Sequence, residues 1–455
     1  MRVEAGIMKR QITQKLLNWK DDRQRKPLLL TGVRQCGKTY ILEEFGREYF
    51  DSYLYINFER QTYLADVFEY DLDPQRIMNE IAILMQKPQA IPGKTLVIFD
   101  EIQACPKAVT SLKYFCEDMP QLHLVAAGSL LGVALKQEEI SFPVGKVDRL
   151  RMYPMNFEEF VCAKGADNYL ELIRSRDQEA PLPDAVREPM EKLLKEYYIV
   201  GGMPEIVQSW ITDRNIDEVE RLQEEILESY RNDFSKHAPL EMVPKLNAVW
   251  DSIPVQLAKD NNKFVFSHIK QSARAREYED ALQWLIDAGL VYRPEMVEKP
   301  SVPLSFCADA SYFKVYFADV GLMRKKAGVY YRQLLEKPEQ YTPFTGSLAE
   351  NYVFEELVSQ DLPIWFYRSG NDAEVDVLTE YTGLMIPIEV KSADNTRAKS
   401  YRNFCETYQP KIGFKMSLKN IGISNIKDTV TVSLPLYLSF RIKEYIDGLS
   451  SVQKE

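Results

Sequence analysis

The sequence predicts an α/β fold built on a parallel sheet with helices on both faces, as in P-loop NTPases. The first observation is an apolar run, residues 27–31, that leads into the pattern G-x-x-x-x-G-K-T. The second is that further apolar runs alternate with helical patterns in the first third of the chain. The predicted strands cover residues 28–32, 53–58, 95–100, 123–128 and 148–153. Because another strand separates them along the chain, we expect strands 28–32 and 95–100 not to be neighbours in the sheet.

The glycine-rich turn has the residue types that a triphosphate-binding loop needs. Gly32 and Gly37 permit backbone angles and a close approach that a Cβ would block, so the loop amides can point at phosphate oxygens. Lys38 is placed to reach the β- and γ-phosphates, and Thr39 offers a hydroxyl to Mg²⁺ at the start of a helix. The predicted ATP-binding residues are Gly32, Val33, Arg34, Gln35, Cys36, Gly37, Lys38, Thr39 and Tyr40.

A second apolar run, residues 95–99, ends in two carboxylates, which fits a central parallel strand that delivers acids to the carboxyl edge of a sheet. Asp100 is predicted to hold Mg²⁺, and Glu101 is predicted to polarise the attacking water. An acid directly after the metal-binding aspartate favours hydrolysis over phosphoryl transfer to a small molecule. The alternative is a buried strand with a solvated acidic end.

Polar residues beyond the next two strands are further candidates for the γ-phosphate side of the site. Ser129 follows the strand at 123–128 and is a candidate sensor and catalytic residue, or else it caps the next helix. The last predicted strand and the segment before it contain three cations, Lys146, Arg149 and Arg151. One of them can act at the γ-phosphate of its own subunit or of a neighbouring subunit. For at least two of these cations, the alternative is a solvated edge strand.

The composition is that of an ordinary globular chain, with 455 residues of which 45% are hydrophobic. No apolar run reaches the roughly 18 residues of a membrane span, and the N-terminus lacks an export signal, so we expect a cytoplasmic protein. Six scattered cysteines suggest neither a zinc site nor a disulfide framework. The net charge of -10 argues against a polycation for nucleic acid along the whole chain, and only three histidines are present. Carboxylates and lysines are therefore expected to carry the chemistry.

The patterns along the chain predict four domains. These are a P-loop ATPase domain at 1–160, a helical lid or linker at 161–238, a winged-helix-like domain at 239–330 and a C-terminal α/β domain at 331–455. In the third domain, a helical pattern at 278–286 ends at Gly289 and precedes a pair of strands, which is a winged-helix pattern. Eight Lys/Arg against nine Asp/Glu over 240–300 favour a protein partner for this domain over DNA.

The C-terminal domain contains a second set of polar residues, on two predicted strands joined at Thr382-Gly383. A hairpin centred on that turn would place Asp376 opposite Glu389 and Glu374 opposite Lys391, all on one face. Two carboxylates beside a lysine can bind Mg²⁺ and orient a water for attack on a phosphodiester. The alternative is an exposed face of cross-strand ion pairs.

Glu350 is a candidate third carboxylate of the same site. Its alternative is structural, because Ser347-x-x-Glu350 has the spacing of a capping box at a helix start. Eleven Lys/Arg against seven Asp/Glu over 386–455 give a local charge of +4 that suits a phosphate-bearing partner. The predicted metal ligands of the whole chain are thus Thr39, Asp100, Glu350, Asp376 and Glu389, and the predicted catalytic residues are Lys38, Glu101, Ser129, Asp376, Glu389 and Lys391.

These residues resemble a family of bacterial and archaeal AAA-type ATPases with a C-terminal domain similar to PD-(D/E)XK, or restriction-endonuclease-like, nucleases. The resemblance extends over nearly the whole chain, and where many members have Gly-Arg this chain has Gly145-Lys146. The motifs that carry it are Gly32 to Thr39, Phe99-Asp100-Glu101, Ala127-Gly128-Ser129, Pro154 to Phe160, Gly201-Gly202-Met203-Pro204, Phe317 to Leu322, Gly346 to Tyr352 and Ile388-Glu389-Val390-Lys391. It implies an ATPase core, a winged-helix middle and a nuclease-like end with the signature Glu350, Asp376, Glu389 and Lys391.

Two functions follow as hypotheses. In the first, ATP hydrolysis with Mg²⁺ controls a metal-dependent, nuclease-like domain that acts on nucleic acid. In the second, the chain is an ATP-dependent switch or scaffold that binds a protein or DNA partner, as a monomer or an oligomer, and its nuclease-like domain is inert. A small-molecule kinase is third, and Glu101 counts against it.

Overall fold

The structure is a computed structural model that describes residues 8–134, 143–258, 263–269, 274–336, 342–370, 373–392 and 398–452. The chain divides into two compact units. The first unit consists of Lys9–Pro154 together with Trp284–Leu290, and the second contains Met155–Gln283 and Val291–Glu455. Among the described helices, none is both long and apolar enough to cross a membrane.

The first unit is built on a five-stranded sheet in which every pairing is parallel. The strands are β1 (Leu28–Gly32), β2 (Ser52–Asn57), β3 (Thr95–Asp100), β4 (His123–Gly128) and β5 (Asp148–Met152), and their order is β2-β3-β4-β1-β5. All five predicted strands are confirmed within one residue at each end. The separation of β1 from β3 is confirmed too, although the strand between them is β4 and not β2.

Helices cover both faces of this sheet, as the sequence predicts. The helices of the first unit are α1 (Ile12–Asp21), α2 (Lys38–Tyr49), α3 (Pro74–Leu84), α4 (Pro106–Asp118) and α5 (Leu131–Ala134). Alternate strand residues such as Leu54, Ile56 and Val97 form one apolar cluster with α3 and α4. Tyr53 points the other way and lies against Gly46 of α2, so α2 covers the opposite face.

The N-terminal part of the second unit is helical, as predicted for residues 161–238. Its helices are α6 (Phe157–Ala163), α7 (Asp167–Arg174), α8 (Asp184–Val200), α9 (Pro204–Asp213), α10 (Ile216–His237) and α11 (Val243–Leu257). Helix α12 (Ala275–Asp287) follows and ends before Gly289, which has φ +76°, as the sequence predicts for that glycine. Pro204 at the first position of α9 fits the preference of proline for helix starts.

The short strands after Gly289 form antiparallel pairs with each other. The short strand β6 (Val291–Tyr292) pairs with β9 (Tyr316–Phe317), whereas β7 (Glu295–Val297) and β8 (Ala308–Phe313) join the edge of a larger sheet. The antiparallel pair of β7 and β8 is a strand pair of the kind that the sequence predicts after Gly289, and β6 pairs separately with β9. A winged-helix domain in this region stays a prediction.

The larger sheet of the second unit has eight strands. Besides β7 and β8 they are β10 (Ile364–Ser369), β11 (Ala373–Tyr381), β12 (Leu384–Val390), β13 (Ile412–Ser417), β14 (Gly422–Ile426) and β15 (Thr429–Pro435). Their order in the sheet is β14-β15-β13-β12-β11-β10-β7-β8. Parallel and antiparallel pairings both occur in it. The helices of this part are α13 (Val320–Lys326), α14 (Tyr331–Glu336), α15 (Thr342–Ser359), α16 (Lys399–Tyr408) and α17 (Ile442–Val452).

The hairpin between β11 and β12 has the predicted register. Thr382 and Gly383 both have positive φ values, of 50° and 76°, as a tight two-residue hairpin turn requires. Val377 pairs with Ile388, and one further step along the same antiparallel register brings Asp376 opposite Glu389. The two carboxylates that the sequence placed on one face therefore lie side by side.

Candidate functional site

The phosphate-binding loop of the first unit runs from the end of β1 to the start of α2. Gly37 has φ 95°, which favours glycine, and Gln35 takes a left-handed conformation with φ 66°. At Gly32 the backbone passes so close to β5 that a Cβ would collide with the carbonyl oxygen of Met152. Both glycines are thus required by geometry, as the sequence predicts for such a loop.

Lys38 lies inside this loop with little exposed surface. Its Nζ donates hydrogen bonds to the carbonyl oxygens of Gly32, at 2.8 Å, and Val33, at 3.0 Å. The loop therefore wraps around the ammonium group, and the positive charge stays at the start of α2, where the helix dipole also favours an anion.

The predicted magnesium ligands of the first unit lie together. Thr39 Oγ1 donates a hydrogen bond of 2.8 Å to Oδ2 of Asp100, whose side chain is almost fully buried. Tyr55 on β2 donates a second hydrogen bond, also of 2.8 Å, to the same oxygen, and Asn57 Nδ2 donates to the tyrosine hydroxyl. Burial raises the pKa of Tyr55 well above its usual value, and the Asp100 charge adds to this, so the phenol stays protonated as a donor. A hydroxyl and a carboxylate in contact fit Mg²⁺, which prefers oxygen ligands.

Glu101 and Ser129 are also brought together. Glu101 has a left-handed backbone, with φ 49°, and its Oε2 accepts a hydrogen bond of 2.5 Å from Gln103 Nε2. Ser129 Oγ lies 3.5 Å from the same carboxylate oxygen. The carboxylates of Asp100 and Glu101 thus have different hydrogen-bond partners.

Sequence reasoning missed three residues of this site. Tyr55 and Gln103 hold the two acids, and Arg10 joins the loop to the end of β5 by donating to the carbonyl oxygens of Cys36, at 3.1 Å, and Tyr153, at 2.6 Å. For Tyr55 and Arg10 the sequence gives no pattern that identifies the partner, because those partners come together only in the folded unit. Gln103 lies two residues after Glu101, and this closeness in the chain was the one available signal.

Lys146 and Arg151, two of the three candidate cations, have side-chain contacts within the first unit. Lys146 forms an ion pair of 2.9 Å with Glu117, and both side chains are partly exposed, which supports the solvated-edge alternative for this lysine. Arg151 stacks over the ring of Tyr153, and its guanidinium lies next to Gly289. Arg149 lies on β5, where it pairs in register with Leu29 of β1.

The hairpin of the second unit places Asp376, Glu389 and Lys391 in one cluster. Lys391 Nζ is 2.7 Å from Glu389 Oε1 and 3.8 Å from Asp376 Oδ2, and the backbone N–H of Val390 donates to Asp376 at 2.7 Å. Burial raises the pKa of Glu389, and the Asp376 charge adds to this rise. Burial alone would lower the pKa of Lys391, but the two neighbouring carboxylates raise it above its usual value.

The second oxygen of Glu389 supports a ligand-binding role for this cluster. Glu389 Oε2 is buried and has no hydrogen-bond partner, which is costly for a carboxylate unless a cation or a water completes its environment. Asp376 and Glu389 offer oxygen ligands only, which suits Mg²⁺. The cluster therefore fits a divalent cation.

Glu350 lies close to these residues, but its proposed structural alternative is wrong. Helix α15 begins at Thr342, five residues before Ser347, so Ser347 and Glu350 do not form a capping box at a helix start. Ser347 Oγ donates instead to the carbonyl oxygen of Leu257, and Glu350 Oε2 accepts a 2.8 Å hydrogen bond from Tyr316. Burial raises the pKa of Glu350, against the opposing effect of Lys314.

Across the described residues, no group of three or more His, Cys, Asp or Glu side chains is arranged to hold a metal ion. Each candidate site instead offers two protein oxygen ligands: Thr39 with Asp100 in the first unit, and Asp376 with Glu389 in the second. Mg²⁺ is typically bound by one or two carboxylates, with waters and phosphate oxygens in its other positions. Both pairs are compatible with that kind of binding.

Three segments of the chain match known protein families. Residues 24–161 match the AAA domain, residues 191–332 match a domain of unknown function (DUF8612), and residues 345–437 match another (DUF4143). An uncharacterised protein of Haemophilus influenzae is 27% identical over 219 residues, which are 45% of this chain and 46% of that protein. The chain thus spans about half the length of this curated relative.

Solved structures are similar to the chain at low identity. A Walker-type ATPase of Pyrococcus abyssi is 13% identical, with a TM-score of 0.44 over 71% of this chain and 97% of that chain. The ORC2 protein of Aeropyrum pernix, in its ADPNP–ADP complexes, is 13% identical, with a TM-score of 0.32 over 74% of this chain and 95% of that chain. The family match and the phosphate-binding loop together show that residues 24–161 carry an AAA-type P-loop ATPase domain.

Proposed function

We propose that this protein binds and hydrolyses ATP with Mg²⁺ in its first unit, and that the nucleotide state controls a metal-dependent, nuclease-like site in its second unit. The observation that carries the first half is the 2.8 Å hydrogen bond between Thr39 Oγ1 and Asp100 Oδ2. It brings the hydroxyl after the loop lysine to the carboxylate at the end of β3, as a magnesium nucleotide requires.

The residues of the first unit have distinct roles in this proposal. The loop amides and Lys38 bind the phosphates, and Thr39 and Asp100 hold the metal. The Mg²⁺ ion, when bound, neutralises charge on the phosphate oxygens. Glu101 accepts a proton from the attacking water, while Gln103 and Ser129 keep its carboxylate in place.

The second half of the proposal rests on the hairpin of β11 and β12. Its register places Asp376 beside Glu389, Lys391 joins the two carboxylates, and Glu389 Oε2 has no hydrogen-bond partner. These features resemble the restriction-endonuclease-like site, with Glu350 as a further carboxylate nearby. The local excess of cations over residues 386–455 favours a nucleic acid as the substrate.

An ATPase and cleavage assay tests both halves. The purified chain is incubated with ATP, with Mg²⁺ or Mn²⁺, and with duplex, single-stranded or branched DNA, or with RNA. We expect phosphate release that nucleic acid stimulates, and cleavage that Asp376→Asn abolishes while basal ATP hydrolysis continues. Asp447→Asn, an exposed aspartate of the second unit, is the matched control and should change neither activity.

The ATPase assignment and the nuclease assignment can each be overturned without the other. An absence of phosphate release under all conditions would overturn the ATPase assignment. An absence of cleavage with and without ATP, together with no effect of Asp376→Asn on any measurement, would overturn the nuclease assignment and leave the ATPase intact.

A second candidate function is an ATP-dependent switch with an inert nuclease-like domain. It is favoured by the partners that the carboxylates already have. Lys391 pairs with both Glu389 and Asp376. Lys314 and Arg368 pair with Glu374, and Tyr316 donates to Glu350. The winged-helix-like region at 239–330, which has no excess of cations over 240–300, would then bind a protein partner. Capture of a partner that requires ATP, is lost with Lys38→Ala and survives Asp376→Asn would favour the switch, and light scattering with ATP would show whether the chain forms oligomers.

A further inference from the structure

Lys314 is a fully buried lysine that lies among the carboxylates of the second unit. Its Nζ is 2.6 Å from Glu374 Oε1 and 3.8 Å from Glu350 Oε2, and none of its side chain is exposed. Neither the sequence motifs nor the predicted nuclease signature includes this residue. Lysine is almost never fully buried unless it is paired, so the carboxylates are the reason that it can lie there.

The surrounding contacts hold Lys314 in this position. Its backbone N–H donates to the carbonyl oxygen of Pro294, and its ammonium lies 4.9 Å from the centre of the Phe366 ring. Glu374, its closest partner, is also bound by Arg368 at 3.3 Å, and Glu350 is bound by Tyr316. The ammonium therefore has a defined place in the cluster and does not move freely into solvent.

The charges of the cluster divide into two halves. Glu350 and Glu374 lie with Lys314 and Arg368, so that half is close to neutral. Asp376 and Glu389 share the single cation Lys391, and Glu389 Oε2 has no hydrogen-bond partner. In a buried cluster, an added divalent ion is stable only where negative charge remains unpaired, and that is the Asp376 and Glu389 half.

We propose that the ammonium of Lys314 takes the place of a second metal ion, so that this site binds one divalent cation, at Asp376 and Glu389, and none at Glu350 and Glu374. The proposal rests on the metal-dependent site assigned above. It specifies single-metal chemistry there, because the two carboxylates that a second ion would need are neutralised by side chains of the chain itself.

The first test counts metal ions. Full-length protein carrying Asp100→Asn, which weakens metal binding in the ATPase unit, is titrated with Mn²⁺ without nucleotide, and binding is followed by calorimetry and electron paramagnetic resonance. We expect one bound Mn²⁺, which a further Asp376→Asn substitution removes. Two coupled Mn²⁺ ions that depend on Asp376 would overturn the role of Lys314 and leave the metal site intact. No Mn²⁺ that depends on Asp376 would overturn the metal-dependent site itself.

The second test removes the ammonium. In Lys314→Met the unpaired carboxylates should lower the thermal unfolding midpoint, and Mn²⁺ should restore it, because the ion can now occupy the vacated half of the cluster. The number of bound Mn²⁺ ions should rise from one to two. If Lys314→Met can be purified only when Mn²⁺ is present during expression, this requirement also shows that the ion stabilises the variant.

Lys326→Met is the matched control for this test. The Lys326 side chain is also mostly buried in the second unit, but it pairs with Asp251, beside Trp250, and lies outside the carboxylate cluster. This variant should lose stability without any rescue by Mn²⁺. Equal rescue of both variants, or a Lys314→Met protein that neither binds a second ion nor gains stability from Mn²⁺, would contradict the proposal. Lys314→Gln, which keeps a polar group in the cluster, repeats the measurement if Lys314→Met cannot be folded under any condition.

Discussion

Gln103 Nε2 lies 2.5 Å from Glu101 Oε2, so the carboxylate that we propose as the base of ATP hydrolysis is held by an amide two residues further along the chain. The same amide side chain lies directly over Gly128, where a Cβ would collide with its oxygen. Gly128 is the last residue of β4, and Ser129 follows it toward Glu101. The end of β4 thus leaves just enough space for Gln103 to position the acid.

Gln103→Ala should slow ATP hydrolysis while leaving ATP binding close to that of the wild type. Without the amide, the Glu101 carboxylate loses its shortest hydrogen bond, and misplacement of a catalytic group costs about 10- to 100-fold in rate. Steady-state hydrolysis measures the loss of rate, and titration with a fluorescent ATP analogue shows whether nucleotide affinity is kept.

Gln75→Ala is the matched control for this prediction. Gln75 also donates to a side chain of the first unit, Asn79, but it does so on an exposed helix surface. The control should hydrolyse ATP at the wild-type rate. Unchanged hydrolysis in Gln103→Ala as well would show that Glu101 does not depend on Gln103.

Lys38→Ala should weaken ATP binding strongly. The ammonium is the cation that the loop encloses, and a charge-assisted hydrogen bond contributes roughly 1.5–3 kcal/mol, which is about 10- to 100-fold in Kd. Equilibrium titration with a fluorescent ATP analogue measures the change. Lys94→Ala, which removes an exposed lysine of the same unit, should bind the analogue like the wild type. Similar affinity of the Lys38 variant and the wild type would argue against the phosphate site.

Glu101→Gln should bind ATP and fail to hydrolyse it. The amide keeps the size of the side chain but cannot accept a proton from water, and general-base catalysis contributes roughly 10²- to 10⁴-fold in rate. Chromatography of the bound nucleotide after incubation should recover ATP from the variant and ADP from the wild type. The control is Glu69→Gln, an exposed glutamate that pairs with Lys107. Wild-type turnover by Glu101→Gln would exclude this residue as the base.

The sequence predicted those parts of the two sites that lie within one motif. The loop from Gly32 to Thr39 and the acids at the end of β3 are local patterns, and the β11–β12 register follows from one turn at Thr382-Gly383. The residues of each feature are close together in the chain. Their spacing in the sequence is therefore enough to predict their geometry.

The partners of these residues could not be predicted in the same way. Tyr55 reaches Asp100 because β2 and β3 are adjacent in the sheet, and that order is a property of the folded unit. The sequence signal at Lys314 is a single lysine within the apolar run at 312–318. A cation at such a position is expected to be buried with a carboxylate, but no sequence rule says which one.

Glu356 makes the stability of the second unit depend on pH. It lies on α15, where its Oε1 accepts a 2.6 Å hydrogen bond from the backbone N–H of Phe157, and its Oε2 has no hydrogen-bond partner. Burial raises its pKa from 4.5 to about 8, and the charges of Glu158 and Glu159 add to the rise. Between these two values the folded chain keeps a proton that the unfolded chain has lost, so the contribution to stability falls as pH rises.

Glu356→Gln should therefore gain stability relative to the wild type as the solution becomes alkaline. Glutamine keeps an acceptor for the Phe157 N–H and cannot ionise. The variant therefore does not lose unfolding free energy as the pH rises to about 8, as the wild type does. Urea unfolding is measured at several pH values from acid to alkaline for both proteins and for Glu406→Gln, which removes a partly exposed carboxylate paired with Arg402. The difference in unfolding free energy between Glu356→Gln and the wild type should grow with pH, while that of the control stays nearly constant. A difference independent of pH would mean that the folded chain does not hold a proton on Glu356, because a carboxylate that ionises equally in the folded and unfolded states adds no pH dependence to stability.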